Sequence, residues 1–218
     1  MNKALACHCQ PKAEPGHEIG CVLSLPFRYL SGEKFMDRSV YGHLCTNHGS
    51  KWQLDGRYFD GNNNYVEIPI GDWVTGMTRI TIASRAKTAS AIPSSRMVVN
   101  REQNPGGFAL GAGWNANKFT FWANPGTWTS AHGATSIVIG ISYVVEGSFN
   151  GYNILLFVDG KQDGSNTHSG NLGGGIQNVR IGIQSNSLDY DWHGLIGDTL
   201  IYNFADYAPR ILSRSIGG

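Results

Sequence analysis

The stretch NILLFVDGKQDG, Asn153 to Gly164, decides the fold. Its apolar run from Ile154 to Val158 ends on Asp159-Gly160, where the chain must reverse. A tight hairpin turn needs φ > 0, which glycine adopts without steric cost, so this run predicts one arm of an antiparallel hairpin. Working outward, short runs of the same kind recur on both sides, separated by Gly, Asn, Asp and Pro. Upstream, strands are predicted in VLSLPF from Val22, YVEIP from Tyr65, RITIASRAK from Arg79, SRMVVNRE from Ser95, GFALGAG from Gly107 and KFTFWAN from Lys118. SIVIGISYVVEG from Ser136 is a further one, and NVRIGI from Asn178 and GLIGDTLIYNF from Gly194 follow downstream. In KFTFWAN, Phe119, Phe121 and Ala123 share one face while Lys118, Thr120 and Trp122 share the other. GSFNG, from Gly147, reads as a hairpin tip, and SNTHSGNLGGG, from Ser165, as a loop. Only YAPRILSRS, from Tyr207, with Pro209 in a first turn, reads as a short helix.

Composition agrees. Glycine makes up 29 of the 218 residues, and charged residues are 15%, against about 25% in an average soluble domain. That is the balance of a turn-rich β protein, and it excludes long disorder and coiled coils. Lys and Arg number 17 against 16 Asp and Glu, a formal charge of +1. This balance predicts neither a nucleic-acid nor a membrane partner. No apolar stretch approaches the roughly 18 residues of a transmembrane helix, and MNKALACHCQPKAEPGH has too short an apolar patch for a signal peptide.

Residues 1–20 carry Pro11, Pro15 and Gly16 without any periodic pattern and read as an extended N-terminal arm; 21–218 read as one large domain. The cysteines, Cys7, Cys9, Cys21 and Cys45, all fall in the first 45 residues. With His17 they offer ligands for zinc, although Cys-x-Cys lacks the usual spacing; disulfides and free buried thiols are the competing readings.

Asp37 to Pro69, with its FDG and YVEIP segments, together with YNILLFVDGKQDG, NVRIG and GLIGDTLIYNFADY, resembles in order the motifs of laminin-G-like and concanavalin A-like lectin/glucanase domains. The resemblance implies an all-β, two-sheet antiparallel jelly-roll sandwich behind the arm. Many short strands with Gly-rich turns require the same two-sheet packing on physical grounds. The expected core is Leu23, Leu25, Phe27, Phe59, Val66, Ile68, Ile80, Ile82, Val98, Phe108, Phe121, Ile139, Ile141, Leu155, Phe157, Ile181, Ile183, Leu200 and Tyr202.

The glucanase branch implied by that resemblance needs two carboxylates about 5 to 5.5 Å apart. The nearest pair along the chain, Asp189 and Asp191, would share a face only on a strand, and a polar rim loop is the competing reading. No Gly-x-Ser-x-Gly elbow occurs, and NLGGG lacks a following helix and Lys, so no enzyme is expected. Relatives of this kind carry calcium where the first turn meets the last strand, which points to Asp37 and Asp198, with Gly197 standing where many relatives have a second Asp. Asp37 capping its own turn is the alternative. A glycan would be bound by exposed aromatic rings; Trp73, Trp114, Trp128, Tyr190 and Trp192 lie in or beside Gly/Asn-rich segments.

Two functions follow. A lectin-like sandwich without an export signal or catalytic carboxylates, bearing an arm suited to reach a neighbour, fits a virion-surface decoration or cement protein. That reading implies a homo-oligomer, by analogy a trimer, on a capsid shell. The alternative is a carbohydrate-binding or adhesion module, outside the cell, in which the Trp-bearing loops bind a polysaccharide.

Overall fold

The computed structural model describes residues 20–205, apart from 93 and 103. The arm up to residue 19, with Cys7, Cys9 and His17, and the expected helix after Tyr207 lie outside the described residues. Sixteen strands form among the described ones: β1 (Cys21–Leu25), β2 (Lys34–Met36), β3 (Leu44–His48), β4 (Lys51–Gln53), β5 (Gly56–Asp60), β6 (Tyr65–Ile68), β7 (Ile80–Thr88) and β8 (Arg96–Arg101). They continue with β9 (Gly107–Ala112), β10 (Lys118–Asn124), β11 (Thr129–Ser136), β12 (Ser142–Phe149), β13 (Asn153–Val158), β14 (Lys161–Thr167), β15 (Val179–Ile181) and β16 (His193–Tyr202). Sheet A runs β14-β13-β12-β7-β16-β5-β4 with β1 also on β16; sheet B runs β11-β10-β9-β8-β15-β6-β3-β2. All pairings are antiparallel. The result is the expected jelly-roll sandwich.

The core fills the space between the sheets, with Leu23, Phe27, Phe59, Ile82, Phe108, Phe121, Ile154, Leu156 and Ile201 buried. Gly147 marks how closely the sheets approach: a Cβ there would lie 2.2 Å from the Phe121 ring in the opposite sheet. Five expected core positions are corrected. Ile139 and Ile141 are exposed, because Ser136 closes β11 and a turn through Gly140 (φ +79°) separates it from β12. Leu155 and Phe157 are half-buried, since register puts Ile154, Leu156 and Val158 of β13 inward instead. Leu200 yields the inner face to Ile201 because β1 and β7 pair with β16 in that register. The GSFNG reversal falls slightly later than expected, with β12 continuing to Phe149.

Two buried arginines hold loops to this frame without any carboxylate. The Arg57 guanidinium donates to the carbonyls of Leu30 (2.8 Å), Gly32 (3.0 Å) and Ser50 (3.3 Å) and lies 4.7 Å from the Phe35 ring centroid. Burial pushes its pKa down to about 10, which still leaves it charged at neutral pH. Arg101 likewise donates to Gly106 (2.7 Å), Gly174 (2.5 Å) and Gln177 (3.3 Å), fastening the Gly-rich loop after β14. At the side of the sandwich, β14 of sheet A lies against β11 of sheet B. Asp163 reaches across to accept hydrogen bonds from the Ala134 and Thr135 amides and the Thr135 hydroxyl. Gly164 permits that approach, since a Cβ on it would stand 2.2 Å from the His132 carbonyl oxygen.

Candidate functional site

The cross-strand register places Arg180, Asn100, Ala109, Trp122 and Ser130 in one row on the side of sheet B turned away from the inter-sheet core, although Asn100, Ala109 and Trp122 are themselves buried. Trp122 packs with Met97 and Ala109, and Trp128 and Tyr190 close around them. Trp114, 63% exposed, stands edge-on to Trp122 with ring centroids 6.3 Å apart. The structure thus gathers Trp114, Trp128 and Tyr190 around Trp122, a buried ring that supports the patch and that sequence reasoning did not name. The signal was present in KFTFWAN, whose alternation turns Trp122 away from the core.

Polar groups border the rings. His132 shares hydrogen bonds with the Thr120 hydroxyl (3.2 Å) and the Ser130 hydroxyl (3.1 Å), and Asn166 Nδ2 donates to the Ser130 carbonyl (2.8 Å). Desolvation pushes the His132 pKa below the ordinary histidine value, so its ring is neutral at pH 7. At the other end of the row, Arg180 pairs with Glu67 (3.0 Å) and its guanidinium carbon lies 4.5 Å from the Tyr65 ring centroid. Aromatic faces beside neutral donors and acceptors suit the C–H faces and hydroxyls of a sugar.

Two other expected contacts are corrected. Trp192 is only 1% exposed and belongs to the core, and Trp73 is buried with its Nε1 donating to the Pro69 carbonyl. Asp189 and Asp191 lie in a loop, not on a strand; Tyr190 between them has φ +58°, and Asp191 accepts the Asn63 amide (2.8 Å). Burial, the largest influence on Asp191, raises its pKa. These positions give the rim loop of the competing reading.

Each calcium candidate is engaged by protein groups. Asp37 is buried and its carboxylate accepts the amides of Ser24 (3.2 Å), Ser39 (2.7 Å) and His43, and the His43 ring at 2.9 Å. Asp198 pairs with Arg28 at 3.4 Å. Among the described residues, no group of three or more His, Cys, Asp or Glu is placed to hold a metal ion. Calcium draws on six to eight oxygens, whereas the Asp37 carboxylate is spent on amide donors and Asp198 on Arg28.

Cys21 and Cys45 are free buried thiols, not disulfide partners of one another. Burial above all, and the nearby Asp37, push each pKa up to about 12, so neither supplies a thiolate near neutral pH. Iodoacetamide at pH 8 is therefore expected to leave both unmodified in the folded protein and to alkylate both after denaturation, as read by peptide mass. Labelling of Cys45 in the folded state would contradict that burial.

The two antiparallel sheets packed face to face define a jelly-roll β-sandwich class of domain. The chain belongs to the concanavalin A-like lectin/glucanases superfamily, whose family model matches residues 60–211. Domain 4 of AbnA, an extracellular arabinanase from Geobacillus stearothermophilus solved with arabinotriose, superposes with a TM-score of 0.70 at 15% identity, covering 90% of this chain and 98% of that one. The binding domain of botulinum neurotoxin serotype G gives 0.68 at 14% identity, covering 88% of this chain and 50% of that one. The binding domain of Paraclostridial Mosquitocidal Protein 1 gives 0.66 at 13%, covering 86% and 49%. The chain spans about half the length of those toxin domains. No curated protein sequence matches it.

Proposed function

We propose that this protein is a non-catalytic carbohydrate-binding module whose ligand lies on sheet B against Trp114, Trp128 and Tyr190, with the buried Trp122 supporting them from beneath. The observation that carries the reading is the gathering of the exposed Trp114 and the half-buried Trp128 and Tyr190 around Trp122 on one face of sheet B, with neutral hydrogen-bonding groups beside them. The arabinotriose complex of a structural neighbour supports a neutral oligosaccharide, with arabinan the first ligand to test. The neighbours support this binding role better than a virion-decoration role, whose motivating arm lies outside the described residues.

Calorimetric titration with arabinan oligosaccharides tests the proposal. Trp128→Ala is expected to weaken binding about tenfold, the scale of one lost aromatic stacking contact. Trp52→Ala, at an exposed indole on β4 of the other sheet, is expected to leave affinity unchanged. Equal affinity of wild type and Trp128→Ala, with unchanged circular dichroism, would move the site elsewhere. Absence of binding to arabinan and to a panel of neutral polysaccharides would remove the proposal.

A further inference from the structure

The outer side of sheet A is unevenly covered. Gly147 of β12 faces Phe121 across the sandwich, so Glu146 and Ser148 on either side of it face outward. Register puts Leu200, Ala83 and Phe157 in one outward row with Glu146, and Tyr202, Thr81 and Leu155 in the next with Ser148. At the far end of the same strands the outward Lys87 and Ser142 are exposed. At this end Glu146 is only 4% exposed, Ala83 3% and Thr81 0%. The described elements packed most closely on β12 are its neighbours β7 and β13 and, from the inner side, β10. A glutamate side chain reaches well above a neighbouring alanine, so the strands alone do not enclose its carboxylate, and a buried charge requires a partner of opposite sign. Whatever closes this face therefore brings a cation, together with apolar surface for the half-buried Leu155, Phe157 and Leu200.

The chain turns toward this face as it leaves β16. The Phe204 carbonyl accepts a hydrogen bond from the Thr81 hydroxyl (2.9 Å), and the Phe204 ring packs on Tyr202 with centroids 5.1 Å apart. The backbone has thus left the line of β16 and reached β7, one strand from Glu146. The residues that follow, DYAPRILSRSIGG from Asp206 to Gly218, carry Arg210 and Arg214 as cations and Tyr207, Ile211, Leu212 and Ile216 as apolar groups. At helical spacing Tyr207, Arg210, Ile211 and Arg214 share one side. Crossing from β7 to β13 takes about 10 Å at the usual strand spacing, less than thirteen residues cover at about 1.5 Å each in a helix. The segment before Gly20 fits this face less well. It joins at β1, on the side of β16 away from β7, and approaches through Glu14 and Glu18, which carry the same sign as Glu146. Arg85, on the adjoining outward row, acts on Asp198 instead.

We infer that residues 206–218 fold back over the outer side of sheet A, with Arg210 and Arg214 facing the Glu146 carboxylate and Tyr207 and Ile211 against Leu155 and Phe157. The contact closes that face to other ligands. It lies on the sheet opposite the proposed sugar site, so the two readings stand or fall separately.

Hydrogen exchange of the full chain, read peptide by peptide by mass spectrometry and without any sugar, tests it. Amides of 206–218 are expected to exchange at least about tenfold more slowly than those of a synthetic peptide of the same sequence. Glu146→Gln, and separately the double variant Arg210→Gln/Arg214→Gln, are each expected to speed that exchange about tenfold, the scale of one charge-assisted pair, while β10 peptides keep the wild-type rate. If Glu146→Gln disturbs β10 as well, the arginine variant decides, with hydroxyl-radical labelling of Phe157 expected to rise as the ring is uncovered. Exchange of 206–218 at the free-peptide rate in wild type overturns the inference. So does protection that survives both variants, which would seat the segment elsewhere, and so does protection that vanishes on dilution, which would make the cover a second copy of the chain.

Discussion

Arg57→Met is expected to cost about 3 to 5 kcal/mol of stability, the range for losing one member of a buried charged network, and to lower the melting temperature by roughly 10 °C. The guanidinium is the shared donor for the carbonyls of Leu30, Gly32 and Ser50, and methionine fills its volume but supplies no N–H. Leaving those acceptors without their donor is the larger part of the loss, because a partnerless buried polar group costs about 1 to 3 kcal/mol. Attraction to the Phe35 face is the smaller part. Arg57→Lys should recover little, since one ammonium cannot span carbonyls that a planar fork reaches together. A thermal melt of Arg57→Met within about 2 °C of wild type would show that the loops hold without this donor.

Asp37→Ala is expected to cost about 3 to 4 kcal/mol, measured by urea denaturation, because the amides of Ser24, Ser39 and His43 all donate to its carboxylate. Asp37→Asn should recover part of that, as its remaining carbonyl oxygen still accepts while its NH2 faces a donor. The same variant separates a turn-capping carboxylate from a metal ligand. Added calcium is expected to leave the melting temperature of wild type unchanged; a rise in wild type that disappears in Asp37→Ala would make Asp37 a calcium ligand after all.

Strand positions were legible wherever one face of a strand is apolar and the other polar. KFTFWAN was assigned correctly to both faces, and that alternation also carried the information that Trp122 looks outward. β13 was not legible in this way because Ile154 to Val158 are apolar on both faces, so only pairing with β12 and β14 chooses the inner set. Ile137 to Ile141 read as strand from hydrophobicity alone, but the turn at Gly140 and the Thr88 carbonyl that receives its amide override that propensity. Arg57 and Arg101 escaped attention because arginine is rarely buried, and nothing local to either residue announces carbonyls that converge from distant loops. Of the aromatic candidates, neighbouring Gly and Asn marked Trp114, Trp128 and Tyr190 as surface groups, yet the same context surrounds Trp192, which packs inward.

The Asp163 seam also bears on how the protein behaves when crowded. An exposed strand edge invites a second molecule to add to it, and a long flat edge is a template for fibres. Here β11 and β14, which would be the long edges of the two sheets, lie against each other, and Asp163 takes up amides that β11 would otherwise offer. The opposite edges are β2 and β4, only three residues long, and the five-residue β1, whose Ser24 amide and carbonyl are taken by the Asp37 carboxylate and the Arg38 amide. Many copies packed side by side would thus meet without a ready route to polymerise through their sheets, and Asp163→Ala would reopen that route while leaving the ring cluster on sheet B in place.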